Sequence, residues 1–300
     1  MQAALAQPQP RFRDLVALTK PRVTGLVLAT TATGIFLAPG RLAGWRIALT
    51  LAATTLVVGA ANTLNCWLER DVDALMLRTR DRPLAARRLS PRAALWFGFA
   101  LAALSVPALA LWVNALTAFL AAVALVSYVW IYTPLKRRTP KALVVGAVPG
   151  AIPPLLGWTA VTGRVDLPGF WLFLVLFVWQ LPHFLAITLY LQEDYGRGGL
   201  RVLPLVKGER TARWHLLAYT AALVPVSLAF TPMGIAGRAY LAVAALLGLL
   251  FLGFAVRGLR KGAIERAARG AWARGVFAYS IVYLLVLSAA LLLDATKLRG

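Results

Sequence analysis

Two groups of acidic side chains hold the residues of this 300-residue chain that are best suited to chemistry. In the first group Asn65, Glu69 and Asp73 are spaced four residues apart. Side chains at this spacing share one face of an α-helix, so three oxygen ligands are expected to converge, whereas Asp71 points away from them. Carboxylate-rich oxygen sites suit Mg²⁺, which takes its remaining ligands from water and phosphate. A polar helix end solvated by lipid headgroups is the alternative interpretation of this motif by itself.

The second group consists of Glu193 and Asp194, at the end of a polar stripe. His183, Ile187, Tyr190 and Asp194 recur at i, i+4, i+7 and i+11, which predicts that they follow one face of a single helix. His183 would then lie about 16 Å deeper in the bilayer than Asp194. An imidazole at that depth needs a partner, so His183 either faces a substrate or is hydrogen-bonded to a neighbouring helix.

Basic residues follow both acidic groups and could bind the oxygens of a phosphate that a metal bridges. Arg78 and Arg82 follow the first group, and Arg201 follows the second. A third basic connection, residues 132–141, contains Lys136 and is expected to close over the same site. Solvated charge that only sets membrane topology remains the alternative for each of these residues.

The helices that must position these residues are membrane-spanning. The chain is 60% hydrophobic and 14% charged, and its mean hydropathy of +0.73 is too high for an ordinary water-soluble domain. Most of its apolar segments approach the roughly 20 residues that cross a bilayer. We therefore predict an all-α, polytopic membrane protein with about nine transmembrane helices, which forms a single domain over residues 1–300 with a cytoplasmic N-terminal lead at 1–22. The predicted segments are 23–38, 47–68, 93–113, 116–132, 143–162, 169–191, 214–230, 239–256 and 276–293.

The distribution of charge gives the orientation. Of the 32 Lys and Arg residues, 26 lie in the N-terminal lead and in alternate connections after it. The positive-inside rule places these segments and both acidic groups on the cytoplasmic side of the cell (inner) membrane. The net charge of +21 is divided among short loops that face anionic headgroups, so nucleic acid is not an expected partner and the lipid bilayer is. A single cysteine, Cys66, excludes an intramolecular disulfide, and two histidines exclude a multi-histidine metal site.

These motifs together resemble the UbiA-type intramembrane prenyltransferases over nearly the whole chain. The family's N-x3-D-x3-D motif is matched by Asn65, Glu69 and Asp73, and Glu69 departs from the usual Asp. His183, within a Trp-Gln-Leu-Pro-His-Phe run, stands where quinone-type relatives carry an acid and is typical of the haem-modifying branch. The resemblance is carried by residues 19–22, 65–73, 76–84, 132–137, 150–158, 179–184 and 194–195.

The resemblance implies a helical bundle around a central cavity and a Mg²⁺-dependent transfer of a farnesyl group from farnesyl diphosphate to protoheme IX. Protoheme is then a substrate and not a permanent cofactor, and a downstream haem-modifying membrane enzyme is a further expected partner. We assign as metal ligands Asn65, Glu69, Asp73, Glu193 and Asp194. Arg78 and Lys136 join Asn65, Glu69, Asp73 and Asp194 as catalytic groups, and the substrate-binding candidates are His183, Gln180, Tyr190, Arg82 and Arg201.

Two other functions remain open from the sequence. A sister enzyme that prenylates an aromatic or quinone precursor would share both acidic groups. A membrane transporter would also carry polar groups within its helices. The chain has no Walker loop, and its acidic residues gather at one membrane face instead of the midplane, which argues against transport.

Overall fold

The structure is a computed structural model that describes residues 11–259 and 266–299, with side chains described for 11–259 and 270–295. Every regular element in the described part of the chain is helical. In chain order the elements are α1 (Phe12–Leu18), α2 (Pro21–Leu37), α3 (Gly44–Asp73), α4 (Pro91–Trp112), α5 (Ala115–Val126), a π-helical turn (Ser127–Tyr132), α6 (Thr133–Leu135), α7 (Ala142–Thr162), α8 (Leu167–Tyr190), α9 (Gln192–Arg197), α10 (Leu203–Lys207), α11 (Glu209–Leu228), α12 (Arg238–Arg257) and α13 (Arg266–Arg299).

Seven described helices are long and apolar enough to cross a membrane. They are α3, α4, the continuous unit Ala115–Leu135, α7, α8, α12 and the Gly270–Ala295 part of α13. The other two predicted segments are helical as well: α2 has only 17 residues, and α11 begins with the charged residues Glu209, Arg210 and Arg213. The prediction of an all-α, multi-pass bundle is confirmed, and about nine crossings is consistent with these helices.

Helix boundaries follow local capping chemistry. The side chain of Ser90 accepts a hydrogen bond from the backbone N–H of Ala93 at the start of α4, and Asp166 accepts one from Gly169 at the start of α8. Each cap satisfies an N–H group that has no partner within its own helix. At the end of α7, Gly163 takes a left-handed conformation with φ of 67°, which a glycine adopts without steric cost.

The centre of the bundle depends on very close packing of α2 against α7. A methyl group added to Gly34 would overlap the carbonyl oxygen of Pro154, and one added to Gly157 would overlap that of Thr31. Small residues let helix backbones approach each other inside a membrane. α8 in turn packs against α7, α11 and α13, so its polar residues face other helices.

One π-helical turn interrupts the fourth predicted crossing next to the third basic connection. The hydroxyl of Thr133 donates to the carbonyl oxygen of Tyr128, 2.8 Å away, and the backbone N–H of Thr133 donates to the same oxygen. This five-residue spacing is the π pattern, which is frequent at functional sites. The turn directs Thr133 toward α3, where its hydroxyl lies 3.1 Å from the side-chain nitrogen of Asn65.

The prediction that His183 and Asp194 lie on one continuous helix is wrong. α8 ends at Tyr190, Leu191 leaves helical geometry with φ of −107° and ψ of 16°, and Asp194 lies on the separate helix α9. His183, Ile187 and Tyr190 do share α8. The depth of 16 Å expected between His183 and Asp194 assumed an unbroken helix and therefore does not apply.

Candidate active site

The first acidic group faces the interior of the bundle. Asn65, Glu69 and Asp73 are 2%, 6% and 1% exposed, although they lie in the last turns of α3. The amide nitrogen of Asn65 donates to Oε2 of Glu69 at 2.8 Å. The side chain of Asp71 is 81% exposed and lies 3.8 Å from Arg70. The expected orientation of this motif, with Asp71 turned away, is confirmed.

Two basic side chains from outside α3 neutralise the carboxylates of this group. Nζ of Lys136 lies 2.6 Å from Oε1 of Glu69. Nη1 of Arg82 donates to both oxygens of Asp73, at 2.9 and 2.8 Å. Burial disfavours the charged form of Lys136, but Glu69 outweighs it and raises the pKa of this lysine. The pKa of Arg82 is raised in the same way, since Asp73 overcomes the effect of burial.

Lys20 is a third cation at this group, and the spacing of the acidic motifs did not predict its contact. Its Nζ donates to the amide oxygen of Asn65 at 3.0 Å, and burial lowers its pKa. The backbone of Lys20 is left-handed, with φ of 51°, immediately before the first residue of α2. The sequence signal was a lysine directly before Pro21 at the mouth of an apolar segment. Thr133 was also missed, because only the π-helical turn brings it to Asn65.

The second acidic group is joined to the first through the turn that follows α3. Asp194 is 9% exposed, and its carboxylate accepts hydrogen bonds from the backbone N–H groups of Leu77 at 2.6 Å and Arg78 at 3.3 Å. Glu193 is exposed. The guanidinium of Arg78 lies over the ring of Tyr195, 6.0 Å from its centroid. Asp194 therefore fixes the turn that separates the two groups.

The third basic connection reaches the second group by a backbone contact. The N–H of Arg201 donates to the carbonyl oxygen of Lys136 at 2.9 Å. The side chain of Arg201 is exposed. One network of loop contacts at the same end of the bundle therefore links Lys136, Asp73 and Asp194. The sequence predicts this arrangement for a basic connection that closes over the site.

A cavity of about 320 Å³ opens at this end, beside α8 and α9. Tyr190, Asp194, Glu193 and Arg78 are among the residues that line it, whereas Asn65, Glu69 and Asp73 are not. In the described part of the chain no three carboxylate, imidazole or thiol groups are arranged to hold a metal ion. Each buried carboxylate is instead paired with a cation or with backbone N–H groups, and the metal site stays a prediction.

His183 is buried between α8 and α13. Its Nδ1 lies 2.7 Å from Oγ of Ser280, and that hydroxyl donates its only hydrogen to the carbonyl oxygen of Phe277 at 2.6 Å. Oγ of Ser280 must then accept from Nδ1, which leaves Nε2 of His183 with a free lone pair. The imidazole stacks on Trp179 with ring centroids 4.6 Å apart. The bond to a neighbouring helix is thus present, and the tautomer it selects suits a metal ligand.

The other two candidates on α8 differ in their surroundings. The side-chain nitrogen of Gln180 donates to the carbonyl oxygens of Ala147 and Leu176, at 3.3 and 3.1 Å. A methyl group at Gly150 would overlap the Gln180 amide, so this side chain is tightly packed between α7 and α8. Tyr190 is only half-buried and lines the cavity. The structure thus places Tyr190, and not Gln180, where a substrate could contact it.

The geometry is that of a buried, cation-lined acidic motif at one end of a helical membrane bundle. Residues 27–293 match the UbiA prenyltransferase family. The chain belongs to that family. A relative from Anaeromyxobacter sp. (strain Fw109-5) is named protoheme IX farnesyltransferase and is 56% identical over 284 residues, which is 94% of each chain.

Solved structures agree with the UbiA fold. Digeranylgeranylglyceryl phosphate synthase superimposes with a TM-score of 0.78 at 15% identity, covering 95% of this chain and 98% of the other. A UbiA homologue from Archaeoglobus fulgidus, bound to GPP and Mg²⁺, superimposes with a TM-score of 0.67 at 19% identity, covering 90% of this chain and 99% of the other.

Proposed function

We propose that this UbiA-family enzyme transfers the farnesyl group of farnesyl diphosphate to a vinyl group of protoheme IX, giving haem O and diphosphate. The observation that carries this function is the 56% identity to a protoheme IX farnesyltransferase over 94% of the chain. The identity extends well beyond the motifs that all prenyltransferases of this fold would need. The same observation favours haem over an aromatic or quinone acceptor and favours a transferase over a transporter.

The first acidic group is proposed to hold Mg²⁺, with ligands from Asn65, Glu69 and Asp73. The donor set fits this ion, since it offers one amide and two carboxylates on a buried face. Mg²⁺ bound there would neutralise charge on the departing diphosphate. Each carboxylate oxygen of Asp194 accepts one hydrogen bond from the turn, so each has a lone pair left for a metal ion. Asp194 and its neighbour Glu193 are therefore proposed as further ligands.

The basic residues are proposed to receive the diphosphate. Lys136, Arg82 and Lys20 already lie within hydrogen-bond distance of the predicted metal ligands. Cations held in a site with little water stabilise the negative charge that develops as the C–O bond of the diphosphate breaks. Arg78 and Arg201 are exposed at the same end and are proposed to bind phosphate oxygens from the loop side. The electron pair of the vinyl group then forms a bond to the allylic carbon as diphosphate departs, and water adds to the resulting cation and releases a proton, which leaves the hydroxyl group of the product.

His183 is proposed to contact or ligate the haem iron. Its free Nε2 lone pair is the form of histidine that binds a metal, and the hydrogen bond of Nδ1 to Ser280 is the outer contact that orients such ligands. Tyr190 is proposed to contact the porphyrin from the cavity. Gln180 remains a prediction as a haem contact, because both hydrogens of its amide nitrogen are used by backbone carbonyls.

The orientation in the membrane is also a proposal. The acidic groups and the basic connections share one end of the bundle, which the positive-inside rule assigns to the cytoplasmic side of the cell membrane. The whole chain, residues 1–300, is proposed to act as one domain. A downstream membrane enzyme that modifies the haem product is proposed as its partner.

Product mass tests this function most directly. Purified chain incubated with protoheme, farnesyl diphosphate and Mg²⁺ should yield haem that carries the farnesyl group and one added water. Omission of Mg²⁺ should remove the product. Prenylation of aromatic acids with no reaction of protoheme would identify the sister activity instead, and absence of any diphosphate release would contradict transferase function altogether.

A further inference from the structure

The cavity beside α8 and α9 contains two arginines, Arg197 and Arg213, that the proposed chemistry at the first acidic group does not use. It is called here the arginine cavity, and its functional lining consists of Arg78, Arg197, Arg213, Tyr190 and Trp272. Arg78 and Arg197 are exposed, and Arg197 makes no ion pair or hydrogen bond within the part of the chain that the structure describes. A cavity with guanidinium groups at its rim is suited to carboxylates or phosphates.

Three acidic residues line the cavity beside the three arginines, and they differ in their contacts. Glu209 accepts hydrogen bonds from Gln192 at 2.7 Å and from Arg213 at 3.1 Å. Asp194 is directed to the backbone of the turn after α3. Glu193 is exposed at the rim. The carboxylates of Glu209 and Asp194 are thus engaged with these protein groups, and the guanidinium groups of Arg78 and Arg197 are exposed to an incoming anion.

Two aromatic side chains, Tyr190 and Trp272, line the cavity, and Tyr190 is linked to His183 through Phe277. The guanidinium of Arg213 lies over the ring of Trp272, 5.6 Å from its centroid. The ring centroids of Tyr190 and Phe277 are 6.0 Å apart, and those of Phe277 and His183 are 4.9 Å apart. Flat aromatic walls suit a flat ligand, and this row of rings runs from the arginines to the candidate iron ligand.

We propose that the arginine cavity binds the two propionate carboxylates of protoheme, an inference that rests on the proposed function. Guanidinium groups bind carboxylates through paired hydrogen bonds. The propionates occupy one half of the porphyrin ring and the vinyl groups occupy the other. Arg213 is held by Glu209 and by the carbonyl oxygen of Gly258, so the exposed Arg197 is the guanidinium proposed to meet the propionates. A haem held there presents its vinyl edge away from Arg197.

This arrangement also keeps two anions apart. Diphosphate is proposed to be received by Lys20, Lys136 and Arg82, with Arg78 and Arg201 from the loop side. The propionates are received at Arg197, so each negative group has cations that the other does not use. One shared set would have to bind both substrates against their mutual repulsion.

The experiment measures haem binding by absorbance titration of the full-length chain in detergent. The ligands are protoheme and its dimethyl ester, in which both propionates are neutral. Arg197→Gln should weaken protoheme binding roughly tenfold, the loss expected for charge-assisted hydrogen bonds, and should leave binding of the ester unchanged. Arg210→Gln is the matched control, since Arg210 is exposed, lies nearby on α11 and does not line the cavity. Arg197→Lys, which keeps the charge but not the planar fork, should fall in between.

Three results would overturn the inference. They are unchanged binding of protoheme to Arg197→Gln, an equal loss for protoheme and its ester, and weaker binding of farnesyl diphosphate with haem binding intact. The last result would assign the cavity to diphosphate. Failure of the proposed function is a separate observation, because wild-type chain would then bind protoheme without converting it.

Discussion

The two acidic groups are satisfied by different kinds of partner. Glu69 and Asp73, on α3, are held by the side chains of Lys136 and Arg82. Asp194, on α9, is held by backbone N–H groups of the turn at Leu77 and Arg78. A lysine or arginine can change rotamer and release a carboxylate while the backbone stays in place, whereas a backbone contact is released only when the turn itself moves.

This difference indicates that the acidic residues of the two groups have different roles, although their residue types are similar. The first group can exchange its protein cations for a metal and a diphosphate. The second group mainly stabilises the backbone conformation of the site, since Asp194 fixes the turn that carries Arg78 and leads to Arg82. Three substitutions test this difference, beginning with the largest expected effect, and a fourth tests the hydrogen bond that orients His183.

Asp73→Asn should lower turnover by about 10³-fold, because several kcal/mol of transition-state charge stabilisation are lost with the ligand. Turnover of protoheme is measured by product mass, and folded yield by size-exclusion chromatography. Asp71→Asn is the matched control, since its side chain is 81% exposed and it lies two residues away. Equal turnover in the Asp73 variant and the control would remove the first group from the active site.

Lys136→Gln should have opposite effects on two ligands. Removal of the cation frees Glu69, so binding of Mn²⁺ alone should strengthen, while binding of farnesyl diphosphate should weaken, each by roughly tenfold. Electron paramagnetic resonance of Mn²⁺ and a diphosphate binding assay measure the two. Parallel weakening of both ligands would mean that Lys136 organises the site and does not compete with the metal.

Asp194→Asn should act on stability more than on metal binding. Loss of the charge weakens two hydrogen bonds to the turn, so the free energy of unfolding should fall by about 1 to 2 kcal/mol. Thermal melting in detergent measures the change, with Asp71→Asn as the exposed control. A loss of Mn²⁺ affinity as large as that of Asp73→Asn, without a change in melting temperature, would show that the two groups are equivalent.

Ser280→Ala should give the smallest effect. It removes the acceptor that selects the His183 tautomer, so protoheme affinity should fall about threefold to tenfold, in line with one neutral hydrogen bond. His183→Ala should lose more. Haem titration at equal folded yield checks both, and no change in either variant would place His183 in packing alone.

Much of the fold and of the first group could be predicted from sequence because both depend on local periodicity. Apolar segments of bilayer length locate the spans, and the four-residue spacing of Asn65, Glu69 and Asp73 fixes their common face. Pairings between distant segments could not be predicted in the same way. Lys20 reaches Asn65 across 45 positions of the chain, and Asp194 reaches Leu77 across 117.

Backbone irregularities set a second limit. No proline or glycine marks the break at Tyr190, so the periodicity of the sequence predicts one helix that continues to Asp194. The arginine cavity draws on α8, α9, α11 and α13, and Arg213 and Trp272 carry no motif of their own. Only tertiary packing places those two side chains beside each other.

Because of the π-helical turn at Ser127–Tyr132, the position of Lys136 depends on the number of residues in that turn. A turn with i→i+5 hydrogen bonds contains about one residue more than an α-helical turn, so it absorbs an extra residue that would otherwise rotate everything after it by about 100°. If the turn closed to ordinary α-helix with all its residues kept, Thr133 would leave Asn65 and Lys136 would leave Glu69, although every residue type in the motif would still be present. A homologous chain that has one residue fewer here and a regular α-helix would keep its lysine at the carboxylate, so a gap of one residue at this turn does not mean that the contact is lost.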